Sequence, residues 1–253
     1  MKMFSKVVLI LLVIAAISSG CIPPVRPRLI KGSGEIIVEE REVSGFDSIA
    51  MAGAGRIILT QGEEESLSIE TDDNLLEYIE TRVRGNTLEI DFSDDIILSS
   101  GGRDVLEPSA GFVFRIGVID LESISVSGAA DIKAEKLKVE NFEINFSGAG
   151  DIQVDDLNAE RVIVTVSGAG DVDLAGKVDY QDINLSGAGR YRAPDLESRH
   201  ASVVISGFGG AELWAAESLD VVISGAGDVE YYGDPSVNPQ ISGLGRIQGL
   251  GEK

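Results

Sequence analysis

The sequence predicts an all-β fold, a single-stranded parallel β-helix (β-solenoid), and three observations carry that reading. A Ser-Gly-x-Gly element, with x usually small, begins at Ser127, Ser147, Ser167, Ser186, Ser206, Ser224 and Ser242, so each coil holds about 20 residues. Apolar and polar residues alternate on either side of the element, which is the period of a strand with one buried face. No repeat leaves room for a helix of ordinary length between its strands.

The chain opens with a different kind of segment. Lys2 and Lys6 precede an apolar run from Val7 to Ile17, followed by Ser18, Ser19, Gly20 and Cys21. A basic start, a short apolar run and small residues at its exit describe an export signal. The run is shorter than the roughly 20 residues that a membrane-spanning helix needs. Cys21 is the only cysteine, so no internal disulfide forms. Its setting resembles a bacterial lipoprotein processing site, at which the cysteine is acylated and becomes the mature N-terminus. Ser18 stands where that site usually has an aliphatic residue, so plain signal cleavage and an uncleaved anchor stay open beside lipid attachment. Residues 22–28, IPPVRPR, form a proline-rich spacer. The organisation expected is a signal peptide over 1–20, a lipidated Cys and linker over 21–31, and one β-helix domain over 32–253.

Within that domain the first half is less regular. FDSIAMAGAGRIIL, residues 46–59, is an early copy of the repeat, with Ala52 in the Ser position and Ile49, Met51, Ile57 and Leu59 in the apolar columns. The interval of 75 positions from Ala52 to Ser127 lacks a further marker, yet Leu67 to Ile69, Leu88 to Phe92 and Phe112 to Ile116 read as strands, so larger coils of the same kind are expected. Asp72-Asp73-Asn74 ahead of Leu75 predicts one helical turn with a side-chain cap. Asp94 to Gly111 reads as an irregular loop.

From Ser127 onward the columns are regular. The position before each Ser is apolar (Val126, Phe146, Val166, Leu185, Ile205, Ile223, Ile241), and Ile132, Ile152, Val172, Tyr191, Ala211, Val229 and Ile247 follow five residues after it. Each coil is expected to hold two or three short strands joined by tight turns. The glycines are expected at the corner for their backbone freedom. Phe208 and Leu244 replace the Ala of Ala129, Ala149, Ala169, Ala188 and Ala226, which predicts a bulge or a cap in those coils. Pro235, Pro239 and the glycines from Gly243 to Gly251 read as a terminator of the stack.

Charge and residue inventory narrow the chemistry. Forty-two acidic and 21 basic side chains give a net charge of −21, which disfavours nucleic acid. His200 is the only histidine, so no Ser-His-Asp set, Cys-His pair or histidine metal cluster fits in one chain, and it reads as a loop residue. Asp131, Asp151 and Asp171 fall in one column of adjacent coils. Turn-capping carboxylates explain that column, and a Ca2+ site is the alternative. Trp214, Tyr231 and Tyr232 read as the end of the core rather than as a ligand platform. Lys133, Gln153, Asp173, Arg192, Glu212 and Glu230 form an outward column of mixed charge, the candidate binding face. With no catalytic constellation the chain is expected not to be an enzyme. The alternative is a polysaccharide-active lyase or hydrolase using acids near Asp94 to Asp104.

GFDSIAMAGAGRIILTQG, then SLSIETDDNLLEYIETRVRGNTLEIDF, then the repeated SGAGD resemble the family called putative auto-transporter adhesin, head GIN domain, over about residues 35–250. The resemblance implies a right-handed β-helix on exported, often lipid-anchored proteins, and it brings no ligand or catalytic residue. The functional expectation is a cell-envelope binding or structural module that faces away from the cytoplasm. Its expected partners are the membrane, through the N-terminal lipid, and an envelope protein or polysaccharide.

Overall fold

A computed structural model describes residues 28–93, 96–99 and 111–253. They form a β-solenoid of about 6 turns. Its strands are β1 (Arg28–Lys31), β2 (Ile36–Arg41), β3 (Ser48–Ala52), β4 (Ala54–Gln61), β5 (Ser66–Asp72), β6 (Ile79–Arg84), β7 (Thr87–Phe92), β8 (Ile96–Ser99), β9 (Val113–Val118) and β10 (Ser123–Val126). They continue with β11 (Ala129–Ala134), β12 (Leu137–Lys138), β13 (Asn141–Phe146), β14 (Ala149–Val166), β15 (Ala169–Leu185), β16 (Arg190–Ile205), β17 (Gly210–Ile223), β18 (Val229–Tyr232), β19 (Ser236–Ile241) and β20 (Ile247–Gly251).

Stacking follows the sequence columns. Val126 pairs with Phe146, Phe146 with Val166, Val166 with Leu185, Leu185 with Ile205, Ile205 with Ile223 and Ile223 with Ile241, all in parallel ladders. Ile124, Ile144, Val164, Ile183, Val203 and Val221 form the next inward column, and every one of them is buried. Ile132, Ile152, Val172, Tyr191, Ala211 and Val229 complete the wall from the other side of the corner. Burial of these columns, at about 25 cal/mol per Å² of apolar surface, is the main term holding the rungs together.

Two details differ from the sequence expectation. The first coil after Ser127 holds three short strands, β11 to β13, and a late one holds β18 and β19, as expected, but the coils between them do not. β14 to β17 each run unbroken round most of a coil, bending at register shifts between Val154 and Leu157, Asp173 and Ala175, and Ala193 and Glu197. The one sharp corner is Ser-Gly-x-Gly, and its first glycine is there for space rather than for backbone angle. A Cβ on Gly128, Gly148, Gly168, Gly187, Gly207, Gly225 or Gly243 would lie 1.7–2.1 Å from the carbonyl oxygen of the glycine one rung earlier. Only Gly150 among the corner glycines has positive φ.

The first half is a cap, not a set of larger coils. β10 and β11 stack directly on β3 and β4, bridging the 75-residue interval, with Val126 opposite Met51 and Ile132 opposite Ile57. On the far side of that rung β7 and β9 run parallel to β3 and β4. Of the remaining pairings, β6 with β7, β5 with β9 and β2 with β5 are antiparallel, and β1 with β8 forms a separate parallel pair. The helical turn appears as a 3-10 helix, Asp73–Tyr78, but without the side-chain cap. The Asp72 carboxylate turns instead to the Gly34 N–H at 2.6 Å.

The opposite end is open. Among the described residues β19 pairs only with β17 and β20 only with β18, so the predicted terminator is a last, thin rung. Pro239 lies opposite Val221 there, where no further strand needs the donor it lacks. Lys253 folds back to hydrogen-bond the Pro194 carbonyl at 2.5 Å, pairs with Asp195 and covers the Tyr232 ring.

Candidate binding surface

The strands place the outward residues as strictly as the inward ones. Lys133, Gln153, Asp173, Arg192, Glu212 and Glu230 form one continuous column, each paired in register with the next. The structure therefore brings the whole predicted face together. Its centre is committed internally. Arg192 donates to both oxygens of Asp173, at 2.6 and 2.7 Å, and to Asp171 at 2.5 Å. Those hydrogen bonds, Asp173 first, hold its guanidinium firmly protonated. A forked Arg–carboxylate pair spanning two rungs fastens the coils and leaves little charge to offer a ligand.

Asp131, Asp151 and Asp171 also come together, beside the corner glycines. Asp131 Oδ1 accepts the Asp151 N–H at 3.4 Å, and Asp171 Oδ1 accepts the Arg190 N–H at 3.0 Å. Arg56 stands 3.9 Å from Asp131. The same device recurs where Asp228 accepts the Arg246 N–H at 2.9 Å. These carboxylates cap the N–H groups of the following rung. Among the described residues no three His, Cys, Asp or Glu side chains are grouped to hold a metal ion.

A second surface was not legible as a unit. On the other side of the corner a groove of about 390 Å³ runs across the rungs, floored by Ser125, Asn145 and Thr165 and edged by Ser127, Ser147 and Ser167. Its end wall is the β6–β7 hairpin, which contributes Asp91 and the pair Arg82 and Glu89, joined at 2.7 Å, and Met51, Ile90, Val126 and Phe146 add apolar surface to the lining. The floor column is uncharged and presents hydroxyl and amide groups, with the Asn145 amide donating to Glu143 at 2.8 Å. The corner hydroxyls turn back on the backbone, Ser147 onto Val126 O at 3.1 Å and Ser127 onto Met51 O at 3.4 Å. The polar column is visible in the sequence; the hairpin that walls it is not, because it belongs to the segment outside the repeat.

Other singled-out residues find structural roles. His200 lies in β16, not in a loop, stacked on Tyr180 with centroids 5.0 Å apart, and Arg161 covers the other face of Tyr180. Trp214 is half-buried, and its carbonyl accepts Ser198 Oγ at 2.7 Å and the Gln181 amide at 3.2 Å. Gln181 also accepts the hydroxyl of the fully buried Tyr191 at 2.6 Å, a polar pair inside the axial core. Burial pushes the Tyr191 phenol well above its ordinary value. Cys21 and the acids Asp94 and Asp104 lie outside the described residues.

The solved structure of a putative adhesin from Bacteroides fragilis is similar, with a TM-score of 0.81 and 26% identity, over 87% of this chain and 100% of that one. A putative lipid binding protein from Parabacteroides distasonis shares the fold at TM-score 0.70 and 24% identity, over 88% of this chain and 100% of its own. A putative adhesin from Parabacteroides merdae does so at 0.67 and 18%, over 88% and 99%. No functionally curated protein matches. The chain belongs to the family described as putative auto-transporter adhesin, head GIN domain, whose model matches residues 45–235.

Proposed function

We propose that this chain is an adhesin-like binding module of the cell envelope, tethered through a lipid on Cys21. Its ligand is a neutral, hydroxyl-rich polymer strand lying in the Ser125–Asn145–Thr165 groove. The observation that carries the reading is the groove itself: an uncharged floor of hydroxyl and amide groups repeating at each rung, on a chain of net charge −21. Rungs recur about every 4.8 Å, so a linear polymer meets equivalent partners along its length. The surrounding acidity disfavours polyanions. The adhesin description of the Bacteroides fragilis relative agrees with display at a surface. Among the described residues no helix is long and apolar enough to cross a membrane.

Two measurements test the two halves. Metabolic labelling with a fatty acid is expected to tag the chain and to vanish in Cys21→Ser. Binding of the purified protein to neutral envelope glycans on an array is expected to fall at least tenfold in Asn145→Ala/Thr165→Ala, about the loss of one or two hydrogen bonds. Silence across neutral polymers, or binding untouched by those changes, sinks the groove assignment.

A further inference from the structure

The groove has unlike ends. In-register pairing runs one outward column from the hairpin onto the rungs: Arg82 with Glu89, Glu89 with Ala50, Ala50 with Ser125, Ser125 with Asn145 and Asn145 with Thr165. Beyond Thr165 the column goes on through Asn184, Val204, Val222 and Gln240, uncharged throughout. A second column pairs Glu80 with Asp91 and Asp91 with Ala52. Ser127 follows Ala52 on the next rung, where its N–H donates to Met51 O at 2.9 Å and the Ala129 N–H to Gly53 O at 2.7 Å. Both columns therefore drop to a methyl group on the same strand, β3. Longer side chains stand on either side, so Ala50 and Ala52 floor a notch at the closed end of the groove.

Charge walls the notch on the hairpin side. Arg82, Glu89 and Asp91 line it, and Glu80 and Arg84 stand behind them, 3.4 Å from Arg82 and 3.9 Å from Glu89. Three carboxylates against two guanidinium groups disfavour an anionic occupant. Glu89 spends Oε2 on Arg82 and Arg84, and Asp91 spends Oδ1 on the Phe92 N–H at 2.8 Å. Glu89 Oε1 and Asp91 Oδ2 are left without a donor among the described residues. A carboxylate only accepts hydrogen bonds, so an occupant has to bring donors. Inside a hydroxyl-rich polymer the linking oxygen has lost its hydrogen and cannot donate; at a chain end the same position is a hydroxyl. The pair Arg82 and Glu89 also rises across the path of a strand lying on Ser125, Asn145 and Thr165. A chain can stop at that wall, whereas an internal stretch would have to climb over it.

We infer that this notch takes the terminal unit of a neutral, hydroxyl-rich polymer, so that the groove reads a chain end and not an internal stretch. The inference rests on the groove reading proposed above and adds a direction to it. The end sits over Ala50 and Ala52, and the chain leaves along Ser125, Asn145 and Thr165. Glu89 and Asp91 accept the hydroxyl that only an end carries, and Arg82 donates to an oxygen of the same unit. Ala50 and Ala52 set the specificity by keeping the space open.

The test sets soluble neutral glucan, mannan and galactan in competition with the same polymers immobilised. Each is used at equal mass in three forms: intact, partly hydrolysed to chains still long enough to span the groove, and hydrolysed then reduced with borohydride. With an end in the notch, potency per mass is expected to rise in step with the number of chain ends. Reduction tells the two ends apart, removing binding if the reducing end is held and sparing it if the other end is. Ala50→Gln fills the notch and is expected to weaken binding of the hydrolysed chains by about tenfold or more, the worth of one or two hydrogen bonds. The stack accepts larger outward side chains. Phe208 and Leu244 replace the corner Ala, yet their N–H groups still donate to Gly187 O at 2.8 Å and Gly225 O at 2.9 Å, without the predicted bulge or cap. The shortening series uses the native chain, so it stands even if the variant misfolds. Potency per mass that stays level or falls on hydrolysis, with binding still lost in Asn145→Ala/Thr165→Ala, overturns the chain-end inference and leaves the groove reading in place. Binding untouched by Asn145→Ala/Thr165→Ala, or silence across the three polymers, removes the groove reading and this inference with it.

Discussion

Gly168 shows how little freedom a single residue has in this stack. A Cβ there would sit 1.9 Å from the Gly148 carbonyl oxygen, so one methyl group forces two rungs apart. Gly168→Ala is expected to cost about 3 kcal/mol, at the upper end of overpacking effects. Gly62, where an added methyl group would meet nothing within 4 Å, is the matched control. Gly62→Ala is expected to be neutral or to gain a few tenths of a kcal/mol, roughly the usual unfolded-state benefit. Urea unfolding of the two variants decides whether space, rather than conformation, selects glycine at the corner. Asp151 gives the pH counterpart. Burial, with repulsion from Asp171, Asp131 and Asp173, holds its carboxyl above the usual 3.8 although the Asp171 N–H pulls the other way. A folded value above the unfolded one means that the folded chain binds more protons, so stability falls as pH rises through the folded value. Asp151→Asn is therefore expected to raise the urea midpoint at pH 7, with the gain disappearing in acid below the unfolded value. An equal gain at both pH values would show that charge is not the cause. The buried pair Gln181 and Tyr191 belongs to the same scale. Gln181 donates to the Leu196 and Trp214 carbonyls near the shifts of register between Ala193 and His200, so its amide satisfies backbone that the ladder leaves without partners. Its place between Val162 and Ala201 was readable as an oddity in an apolar column, but its purpose was not, because the register shifts are a property of the stack.

At the level of elements, repeating and non-repeating segments behave differently. From Ser127 every coil has the same neighbours, so a column in the sequence is a column in space. The segment 62–118 has no such constraint, and its hydrophobic alternation fits an antiparallel partner as well as a parallel one. That is why Leu67, Leu88 and Phe114 were legible as strand residues while the antiparallel pairings of β5 and β6 were not. The same limit hid the β6–β7 hairpin that walls the groove. One junction here is specific enough to test. Segment 31–35 is clasped by Asp72, Asp73 and Asn74: the Asn74 side chain accepts the Ser33 N–H at 2.8 Å and donates to Lys31 O at 3.0 Å, and Ser33 Oγ donates to Asp73. Gly32 passes so close that a Cβ would strike the Asp72 carboxylate. Asn74→Ala removes both side-chain bonds. It is expected to speed tryptic cleavage after Lys31 several-fold while costing the domain about 1 kcal/mol, as for a part-exposed hydrogen bond. A global loss matching the proteolysis would mean that the clasp holds the whole cap and not only the N-terminal lead.

For the molecule as a whole, the two ends are unlike. One is covered by antiparallel strands; the other exposes its last rung, where Ile241 is 46% exposed against 0% for Ile223 beneath it. The tail 236–253 still shields Val221, Ile223 and Val229, and Lys253 ties it down. Deleting it is expected to uncover those columns together with a fresh strand edge and so to drive association, seen as a rise in mass by light scattering. An unchanged monomer would show the tail to be dispensable. The sequence by itself determined the stack: the period, the inward columns, the outward column from Lys133 to Glu230 and the early copy at Ala52, because identical coils at constant rise convert spacing directly into contact. Only the tertiary structure decided the antiparallel cap, the bending of long strands through register shifts and the walled groove. Each of those depends on which non-repeating segment meets which face, and that choice is made by packing across the whole molecule.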